Sequence, residues 1–308
     1  MLLLILFCAG IFLWWIHGTS AANPTDTKKQ DFVIAKGEGS MQIARELAAA
    51  HLIPDQFIFL LLVKLNGYEN SVQAGDFQLS PSQTPQEILS ALAKGTNDVW
   101  VTIPEGFRAT EIAATLQQKI PSYHASWDAK LQTEEGYLFP DTYSFPKDAT
   151  VDQIIQTMKN NFVQKYQEAS KNPTVTLTQQ NAVILASLVQ REGKTNSDMK
   201  YIASVLENRV NLGMALQVDS TIQYIIGTSA QWWPQPTASD LTINSAYNTY
   251  KNPGLPPTPI CNPGLAALTA VFHPANTDYL YYFTDGKGIT HFAKTLEQQN
   301  ANIAKYGE

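Results

Sequence analysis

The chain has 308 residues, which is more than one typical domain holds and predicts two or three folded units. Hydrophobic residues make up 44% of it and charged residues 16%, which fits units with substantial cores and excludes a disordered chain. The formal net charge of −6 provides no basic surface for a polyanion, so we expect no nucleic acid partner.

The first element in chain order is an apolar run over residues 2–16. It approaches the roughly 20 residues that a helix needs to cross a bilayer, and its paired tryptophans suit a membrane interface. A cleavable signal peptide is the alternative, since Ser-Ala-Ala at 20–22 is typical of a cleavage site. No Lys or Arg precedes Lys28, so the usual positively charged cytoplasmic flank is missing. We expect a single-pass anchor at residues 1–17 in the inner (cytoplasmic) membrane, with the remaining chain on its extracytoplasmic side.

A small module is predicted next, after a polar tether at residues 18–30. The segments "FVIAKGEGSMQIARELAAAHLI" and "VTIPEGFRATEIAATLQQKI" form an internal repeat, each typical of a strand, a glycine turn and a helix. The first copy continues through "FIFLLLV", which we interpret as core, to a strand and a helix that Thr84 and Gly95 would cap. The resulting βααβ unit at residues 31–97 resembles the LysM fold, whose members grip peptidoglycan sugars or act as plain spacers.

Residues 98–308 combine helix and strand patterns and predict a mixed α+β domain of catalytic size. Helices are expected at 109–119, 151–170, 178–192, 198–212, 219–226, 261–272 and 293–305. Strands are expected near 99–103 and 278–284, followed by a hairpin turn at 286–288. The predicted fold class of the whole chain is therefore α+β.

Cysteine and histidine provide no sign of a metal site. Cys8 lies in the apolar run and Cys261 in a proline-rich loop, so the soluble part cannot form an internal disulfide. The five histidines lack ligand spacing such as H-E-x-x-H. We expect neither a metal nor another cofactor.

The stretch "EEGYLFPDTYSFP", residues 134–146, sets a glutamate among aromatic rings. Tyr137, Phe139 and Tyr143 would partly desolvate the Glu135 carboxyl group and so raise its pKa. A carboxylic acid that stays protonated near neutral pH can act as a general acid, as glycosidases require. The alternative is an exposed turn glutamate, which composition by itself favours.

A second glutamate ends the apolar helix predicted in "NAVILASLVQREGK". Glu192 at the last turn opposes the helix dipole, which disfavours its charged form. It is therefore a second candidate acid, or a residue that orients substrate. The alternative is a surface carboxylate neutralised by the neighbouring Arg191.

Polar residues on two later stretches are further candidates for substrate binding. Gln217 and Asp219 interrupt apolar segments, where they line either a cleft or an ordinary buried hydrogen-bond network. Tyr247, Asn248 and Tyr250 lie in a loop rich in proline, asparagine and tyrosine. Tyrosine faces stack on sugar rings and amides bond sugar hydroxyl groups, whereas the alternative is a loop with a structural role only.

The motifs "EGYLFPDTYSF", "ASLVQREG", "NRVNLGMALQVDSTIQYIIG", "AYNTYKNPGLPPTPICNPG" and "HPANTDYLYYFTDGKGITHF" follow one another along the chain. In this order they resemble the MltG/YceG-like family of endolytic murein transglycosylases, from about Phe32 to Tyr306. The resemblance implies that Glu135, in the motif E-G-x-x-x-P-D-T, is the catalytic residue and that Asp141 forms the turn. The remaining candidates for substrate contact are Glu192, Gln217, Asp219, Tyr247, Asn248 and Tyr250.

The resemblance also implies a reaction and partners. The expected enzyme is a lyase that cleaves the β-1,4 bond between MurNAc and GlcNAc of nascent peptidoglycan, leaves 1,6-anhydroMurNAc ends and terminates strand elongation. Its expected partners are the glycan strands, the cytoplasmic membrane and penicillin-binding synthases. Two rivals stay open: a lysozyme-like hydrolase with Asp141 or Glu192 as second carboxylate, and a non-catalytic peptidoglycan-binding scaffold.

Overall fold

A computed structural model describes residues 2–35, 37–68, 72, 74–95 and 98–307. The chain folds into two compact units. Unit 1 comprises Met1–Trp100 and Ser144–Lys147, and unit 2 comprises Val101–Tyr143 and Asp148–Glu308. The domain boundaries expected after residues 17, 30 and 97 stay predictions.

Unit 1 contains the predicted βααβ order. Its elements are α1 (Leu2–Thr19), β1 (Gln30–Ile34), α2 (Ser40–Ala49), α3 (Gln56–Leu65), β2 (Gly75–Leu79) and α4 (Pro85–Lys94). Strands β1 and β2 pair antiparallel with Phe32 opposite Phe77, and both rings are buried. Alternate residues of β2 are buried because successive side chains point to opposite faces of a strand, so one face of the sheet covers the core. The likeness of this unit to the LysM fold stays a prediction.

Helix α1 covers the apolar run at the start of the chain, and Met1 lies outside the described residues. Among the described residues, no helix has both the length and the apolar character needed to cross a membrane. The anchor expected at residues 1–17 therefore stays a prediction.

Helix α3 belongs to the core on one side only. Its core-facing side chains are Ile58, Phe59, Leu62 and Val63. Phe57, Leu61 and Leu65 are exposed to solvent. Because these three positions are four residues apart, they form one apolar stripe along the helix.

Helix α4 has the caps that the sequence predicts. The Thr84 hydroxyl accepts a hydrogen bond from the Glu87 N–H, and the Glu87 carboxylate accepts one from the Thr84 N–H, which together form a capping box. Gly95 follows the helix with a φ of 75°, a left-handed conformation that glycine adopts without strain. Both predicted caps are confirmed.

Unit 2 packs its helices around one central helix. From residue 98 onward the elements are β3 (Asp98–Thr102), α5 (Ala109–Lys119), α6 (Trp127–Gln132), β4 (Thr142–Pro146), α7 (Val151–Ala169), α8 (Gln179–Glu192), α9 (Asn196–Asn211), α10 (Asp219–Ile226), a 3-10 helix (Asp240–Thr242), α11 (Leu265–Phe272), β5 (Tyr281–Thr284), β6 (Thr290–Ala293) and α12 (Leu296–Tyr306). Strand β3 pairs with β4, and β5 pairs antiparallel with β6. Helix α8 is buried on every side from Ala182 to Val189 and packs on α9 and α11, so it forms the centre of the unit 2 core.

The sequence pattern predicted most helices of unit 2 and missed three short elements: α6, β4 and the 3-10 helix at Asp240–Thr242. Helices α5 and α10 have the predicted bounds. The helix predicted at 261–272 was wrong in its first turn, because Gly264 is extended and the helix begins at Leu265. Helix α6 has only six residues, too few for a clear period, and β4 lies in the segment that was interpreted as a turn.

Candidate active site

Glu135 lies at a sharp turn between α6 and β4, and the glycine after it makes the turn possible. Gly136 has a φ of 90°, which residues with a side chain rarely adopt. A Cβ atom there would overlap the Pro259 ring and lie 2.9 Å from Val183 Cγ1. The turn therefore requires glycine, and it holds the Glu135 side chain inside unit 2, where this residue is 9% exposed.

N–H donors hold the Glu135 carboxyl group. Oε1 lies 3.0 Å from both the Ala109 nitrogen and the Asn262 side-chain nitrogen, and Oε2 lies 3.1 Å from the same Ala109 nitrogen. Ala109 is the first residue of α5, so the carboxyl group occupies a helix N-terminus, where the helix dipole favours negative charge. These hydrogen bonds connect the turn at Glu135 to the start of α5.

Asn262 organises this turn, and the sequence analysis missed it. Its side chain is fully buried. Oδ1 accepts hydrogen bonds from the N–H groups of Gly136 and Leu138 at 3.0 and 2.8 Å, and Nδ2 also donates to the Phe107 carbonyl oxygen at 3.0 Å. The available signal was an asparagine in the turn-forming sequence C-N-P-G, which the helix prediction for 261–272 concealed.

Burial raises the pKa of Glu135 from 4.5 to about 8. The Ala109 N–H and the Arg108 guanidinium act in the opposite direction, because they favour the charged form. The nearby Glu111 carboxylate raises the pKa further, because like charges repel. The direction agrees with the prediction for Glu135, and burial within unit 2 is its main cause.

Around the start of α5, two arginines stack on one tryptophan. The guanidinium carbons of Arg108 and Arg191 lie 4.0 and 3.8 Å from the ring centre of Trp233. The Trp233 Nε1–H donates to the Glu111 carboxylate at 3.0 Å. Arg108 also donates to the carbonyl oxygens of Gln223, Tyr224 and Trp232. These contacts join the start of α5 to the end of α10 and to the loop after it.

Glu135 lies in the wall of a cleft with a volume of about 760 Å³. The lining side chains that carry rings or polar groups include Arg108, Gln132, Tyr137, Gln180, Tyr224, Trp232, Tyr247 and Thr258. Half-buried aromatic faces together with amide and hydroxyl groups suit a sugar chain, because rings stack on sugars and polar groups bond their hydroxyls. The cleft is therefore a candidate substrate site.

Glu192 lies at the C-terminal end of α8, as predicted. Its carboxylate accepts a hydrogen bond from the Tyr282 hydroxyl at 3.2 Å. Burial raises the pKa of Glu192 and the Asp219 carboxylate raises it further, whereas contacts with Ser220 and Tyr282 favour the charged form. Glu192 is half-buried, and its partners differ from those of Glu135, because it contacts a hydroxyl group instead of the Ala109 and Asn262 N–H groups.

Two candidates from separate stretches of sequence meet beside Glu192. The Tyr250 hydroxyl donates to the exposed Asp219 carboxylate, at the first residue of α10. Burial raises the pKa of Tyr250, and the charges of Asp219 and Glu192 add to this effect. Gln217 precedes them with a φ of 51°, a left-handed conformation that is costly for a non-glycine residue and is concentrated at functional sites.

Tyr247 and Asn248 have different positions although they are neighbours. Tyr247 lines the cleft, and its hydroxyl lies 2.6 Å from Thr258 Oγ1. Asn248 is fully buried, and its Nδ2 donates to the Leu241 and Ile243 carbonyl oxygens at 3.0 and 2.8 Å. Both amide hydrogens are therefore used within the loop. The predicted contact between Asn248 and substrate stays a prediction, and the geometry indicates a structural role.

The other acidic residues of the stretch 134–146 form local contacts. Asp141 is exposed and accepts hydrogen bonds from the Thr142 N–H at 2.7 Å and from the Asn161 amide at 2.9 Å, as a turn residue does. Glu134 forms an ion pair with Lys159 at 2.7 Å. Within the described part of the chain, no three His, Cys, Asp or Glu side chains are grouped so that they could hold a metal ion.

Comparison with known proteins confirms the resemblance to the YceG-like family. The sequence profile of the YceG-like family matches residues 32–305. A relative from Bacillus subtilis (strain 168), named endolytic murein transglycosylase, is 31% identical over 98% of this chain and 91% of its own length. A relative of the same name from Streptococcus pneumoniae serotype 2 (strain D39) is 29% identical over 98% of this chain, which spans 63% of that longer protein.

A solved structure is similar as well. The crystal structure of a yceG-like protein from Listeria monocytogenes superposes with a TM-score of 0.56 at 28% sequence identity. The alignment covers 89% of this chain and 98% of that one. The similarity therefore extends over nearly the whole of both chains.

Proposed function

The chain belongs to the YceG-like family, and on that basis we propose that it is an endolytic lytic transglycosylase of peptidoglycan. The proposed reaction cleaves the β-1,4 bond between MurNAc and GlcNAc of nascent strands and leaves 1,6-anhydroMurNAc ends, which terminates strand elongation. The observation that carries the proposal is a half-buried glutamate with a raised pKa, Glu192, which meets Asp219 and Tyr250 in the unit that also contains the aromatic cleft.

The reaction needs one carboxylic acid that is protonated near neutral pH and can reach the glycosidic oxygen. Glu135 and Glu192 both have a raised pKa. They differ in their contacts, because N–H groups of Ala109 and Asn262 bind the Glu135 carboxyl group, whereas Glu192 contacts a hydroxyl group and lies near a second carboxylate. The N–H donors already engage the Glu135 oxygens, so we assign the proton donor to Glu192. The catalytic role predicted for Glu135 stays a prediction, with its own arm in the test below.

In the proposed mechanism one carboxyl group serves twice. Glu192 protonates the oxygen that leaves C1 of MurNAc, and the sugar becomes oxocarbenium-like. The resulting carboxylate then accepts the proton of the C6 hydroxyl of the same MurNAc, whose oxygen attacks C1. The bond to GlcNAc breaks, the 1,6-anhydro bond forms, and no water is consumed. Attack within one sugar ring replaces a separate nucleophile, because the reacting oxygen is already held near C1.

Asp219 and Tyr250 would prepare Glu192 for this step. The Asp219 carboxylate raises the pKa of Glu192 and so favours the protonated form that donates. The Tyr250 hydroxyl, which donates to Asp219, fixes the position of that carboxylate. Gln217 is exposed next to them and has an amide free to contact a sugar through its side chain.

The cleft beside Glu135 would hold the glycan strand. Tyr247 and Tyr224 present half-buried rings 5.1 Å apart, and Gln180 adds an amide. An endolytic enzyme must bind sugars on both sides of the bond that it cleaves, so it needs a site that extends beyond its acid. Helix α10 begins at Asp219 and reaches the cleft at Tyr224, and it thereby connects the acid to the aromatic wall.

A lysozyme-like hydrolase is the second candidate, and a specific observation favours it. Asp219 is a second carboxylate close enough to Glu192 to raise its pKa, and paired carboxylates are the usual arrangement for hydrolysis. A hydrolase would use Asp219 as nucleophile or base and leave reducing ends. Asp141 is less suited to this role, because it is bound within its own turn.

Product analysis separates these possibilities. Parent, Glu192→Gln and Glu135→Gln proteins are incubated with nascent, uncrosslinked glycan, and the products are identified by mass spectrometry. We expect the parent to release 1,6-anhydro ends, which are lighter by one water than reducing ends. Reducing ends would establish the hydrolase, and absence of cleavage by the folded parent would favour a non-catalytic peptidoglycan-binding scaffold.

The proposal extends to location and partners. Residues 1–17 would attach the protein to the cytoplasmic membrane, with the LysM-like module and the catalytic unit on the extracytoplasmic side, where nascent glycan and penicillin-binding synthases are found. The apolar sequence of α1 supports this placement. Alkaline extraction of membranes followed by protease digestion of spheroplasts tests it, and release of the protein by alkali would contradict it.

A further inference from the structure

The apolar stripe of α3 has no partner within the described part of unit 1. Phe57, Leu61 and Leu65 are 59%, 38% and 66% exposed, and they lie on the side of the helix that faces away from the core. A run of large apolar side chains along one helix face marks a surface that another apolar phase covers. The stripe adjoins helix α1, and this contact indicates what the covering phase is.

The end of α1 and the start of α3 are joined by close contacts. Gly18 packs against Ile58 so tightly that a Cβ atom would overlap its side chain. The Trp14 Nε1–H donates to the Asp55 carboxylate at 3.0 Å, and Asp55 also caps α3 by accepting from the Phe57 N–H at 2.7 Å. The exposed face of α3 therefore begins beside the last turns of α1.

Helix α1 itself requires apolar surroundings. Its exposed large apolar residues are Phe7, Ile11, Phe12, Leu13, Trp14 and Ile16, which follow the helix on all sides. A second protein would cover one side of such a helix, whereas a lipid bilayer surrounds it. Residues 2–25 contain no Asp, Glu, Lys or Arg, and within α3 the only charged side chain is Lys64, which suits an anionic headgroup.

We propose that the stripe Phe57–Leu61–Leu65 of α3 rests in the interfacial layer of an anionic lipid bilayer, as a second membrane contact next to α1. The Trp14 ring, whose N–H is bound to Asp55, has the apolar body and polar edge that favour this layer. The stripe seats unit 1 against the lipid surface. This contact does not depend on the proposed enzymatic function.

Lipid quenching of a site-specific fluorophore tests the contact in the full chain. Cys8→Ser removes the exposed thiol, and Cys261 is buried, so an added cysteine can be labelled alone with an NBD group. The probe is placed at Leu65→Cys in the stripe, and at Val33→Cys as a control. Val33 is exposed, but its neighbours Phe32 and Ile34 enter the core, so it points away from the core on the sheet side of unit 1.

The labelled proteins are bound to vesicles of phosphatidylcholine and phosphatidylglycerol, with and without doxyl-labelled lipid. We expect a blue-shifted emission at position 65 and quenching by doxyl lipid at least about twofold stronger than at position 33. Equal quenching at both positions would overturn the proposal. A blue shift at position 65 without lipid quenching would indicate contact with a second copy of the chain, and would overturn the proposal as well.

Two pairs of substitutions check that the stripe causes the lipid quenching at position 65. Phe57→Ser with Leu61→Ser should reduce the quenching at position 65 to the level at position 33, while circular dichroism shows an intact fold. Val163→Ser with Leu212→Ser changes two similarly exposed apolar residues of unit 2 and should leave the quenching unchanged. If both pairs behave alike, or if the protein does not bind vesicles at all, the stripe is not a lipid contact.

Discussion

Glu135 and Glu192, both in unit 2, have carboxyl groups with a raised pKa but different hydrogen-bond partners. Glu135 is 9% exposed and is held by N–H donors of Ala109 and Asn262. Glu192 is half-buried, ends a helix, accepts from the Tyr282 hydroxyl and faces a second carboxylate. Burial is the largest cause of the raised pKa in both.

The difference shows that a raised pKa does not by itself identify a catalytic acid. A carboxyl group that accepts hydrogen bonds from a helix N-terminus and from a buried amide stabilises the fold, even where it lines a cleft, as Glu135 does. A carboxyl group at a half-buried helix end, with a hydroxyl group and a second carboxylate as neighbours, is the better candidate to exchange its proton with a bound sugar. We therefore propose that Glu135 holds the turn in place and that Glu192 is the acid.

Removal of the proposed acid, Glu192, should have the largest effect on the rate of glycan cleavage. Glu192→Gln should lower the rate of glycan cleavage by about 10³-fold, because a positioned general acid contributes roughly 10²–10⁴-fold. Glu135→Gln should cost less than about tenfold if its role is to hold the turn and the wall of the cleft. Single-turnover rates on uncrosslinked glycan measure both, with circular dichroism as the check on folding. The reverse order of effects would make Glu135 the acid, as its motif predicted.

The turn around Glu135 should fail when its glycine is replaced. Gly136→Ala should lower the free energy of unfolding by about 3 kcal/mol, because a Cβ atom meets the Pro259 ring and the left-handed φ adds strain. Gly254→Ala is the matched control, since Gly254 has a φ of 88° and open space around it. It should lose only about 1 kcal/mol in urea denaturation. Equal losses would show that the turn is not sterically locked.

The buried Glu135 should make stability depend on pH. Its pKa is about 8 in the folded chain against 4.5 for an ordinary glutamate, so between these values the folded state binds more protons than the unfolded state. The contribution of Glu135 to the free energy of unfolding is fully present below pH 4.5 and is lost as the pH rises through 8. The free energy of unfolding should fall by up to about 1.4 kcal/mol per pH unit in this range. Glu135→Gln should flatten this fall in urea denaturation from acid to alkaline pH. Identical slopes in both proteins would mean that Glu135 is charged in the folded state.

The smallest expected effect concerns the hydroxyl bound to Glu192. Tyr282→Phe removes a hydrogen bond that favours the charged carboxylate, so the pKa of Glu192 should rise. The alkaline limb of the pH profile for the rate of glycan cleavage should move to higher pH. The free energy of unfolding should fall by about 1 kcal/mol, because one hydrogen bond is lost. Tyr281→Phe keeps its ring over Arg209 and should leave the limb in place. A limb that does not move in Tyr282→Phe would separate Glu192 from the rate-determining proton transfer.

Local patterns account for the parts of the fold that were predicted. The bounds of α4, α5 and α10 follow from caps and from the period of apolar residues, which are properties of neighbouring positions. Short elements such as α6 and β4 were not predicted. Helix α6 is too short to show a helical period, and strand β4 pairs with a strand that is distant in sequence. The exposed stripe of α3 was also missed, since an apolar helix has the same sequence whether one of its sides meets the core or another phase.

The sequence predicted the acidic residues of the candidate site but not how they are arranged. The motif around Glu135 and the helix end at Glu192 drew attention to both carboxyl groups before any contact was known. Asn262 and Trp233 were absent from that prediction, although the first binds the Glu135 turn and the second stacks between two arginines. Neither side chain is a candidate acid or nucleophile, so their contacts in the folded chain show their role more clearly than their residue types do.

The sequence alone determined the family, the α+β class, the helix caps and the two glutamates that could serve as acids, because these depend on residue type and on spacing along the chain. The tertiary structure alone decided which donors reach each glutamate, since Ala109, Asn262 and Tyr282 come from distant segments. Burial and hydrogen bonding set the pKa of a carboxyl group and its access to substrate. Burial and these hydrogen bonds arise only when the distant segments pack. They distinguish Glu135, which holds its turn in place, from Glu192, the proposed acid.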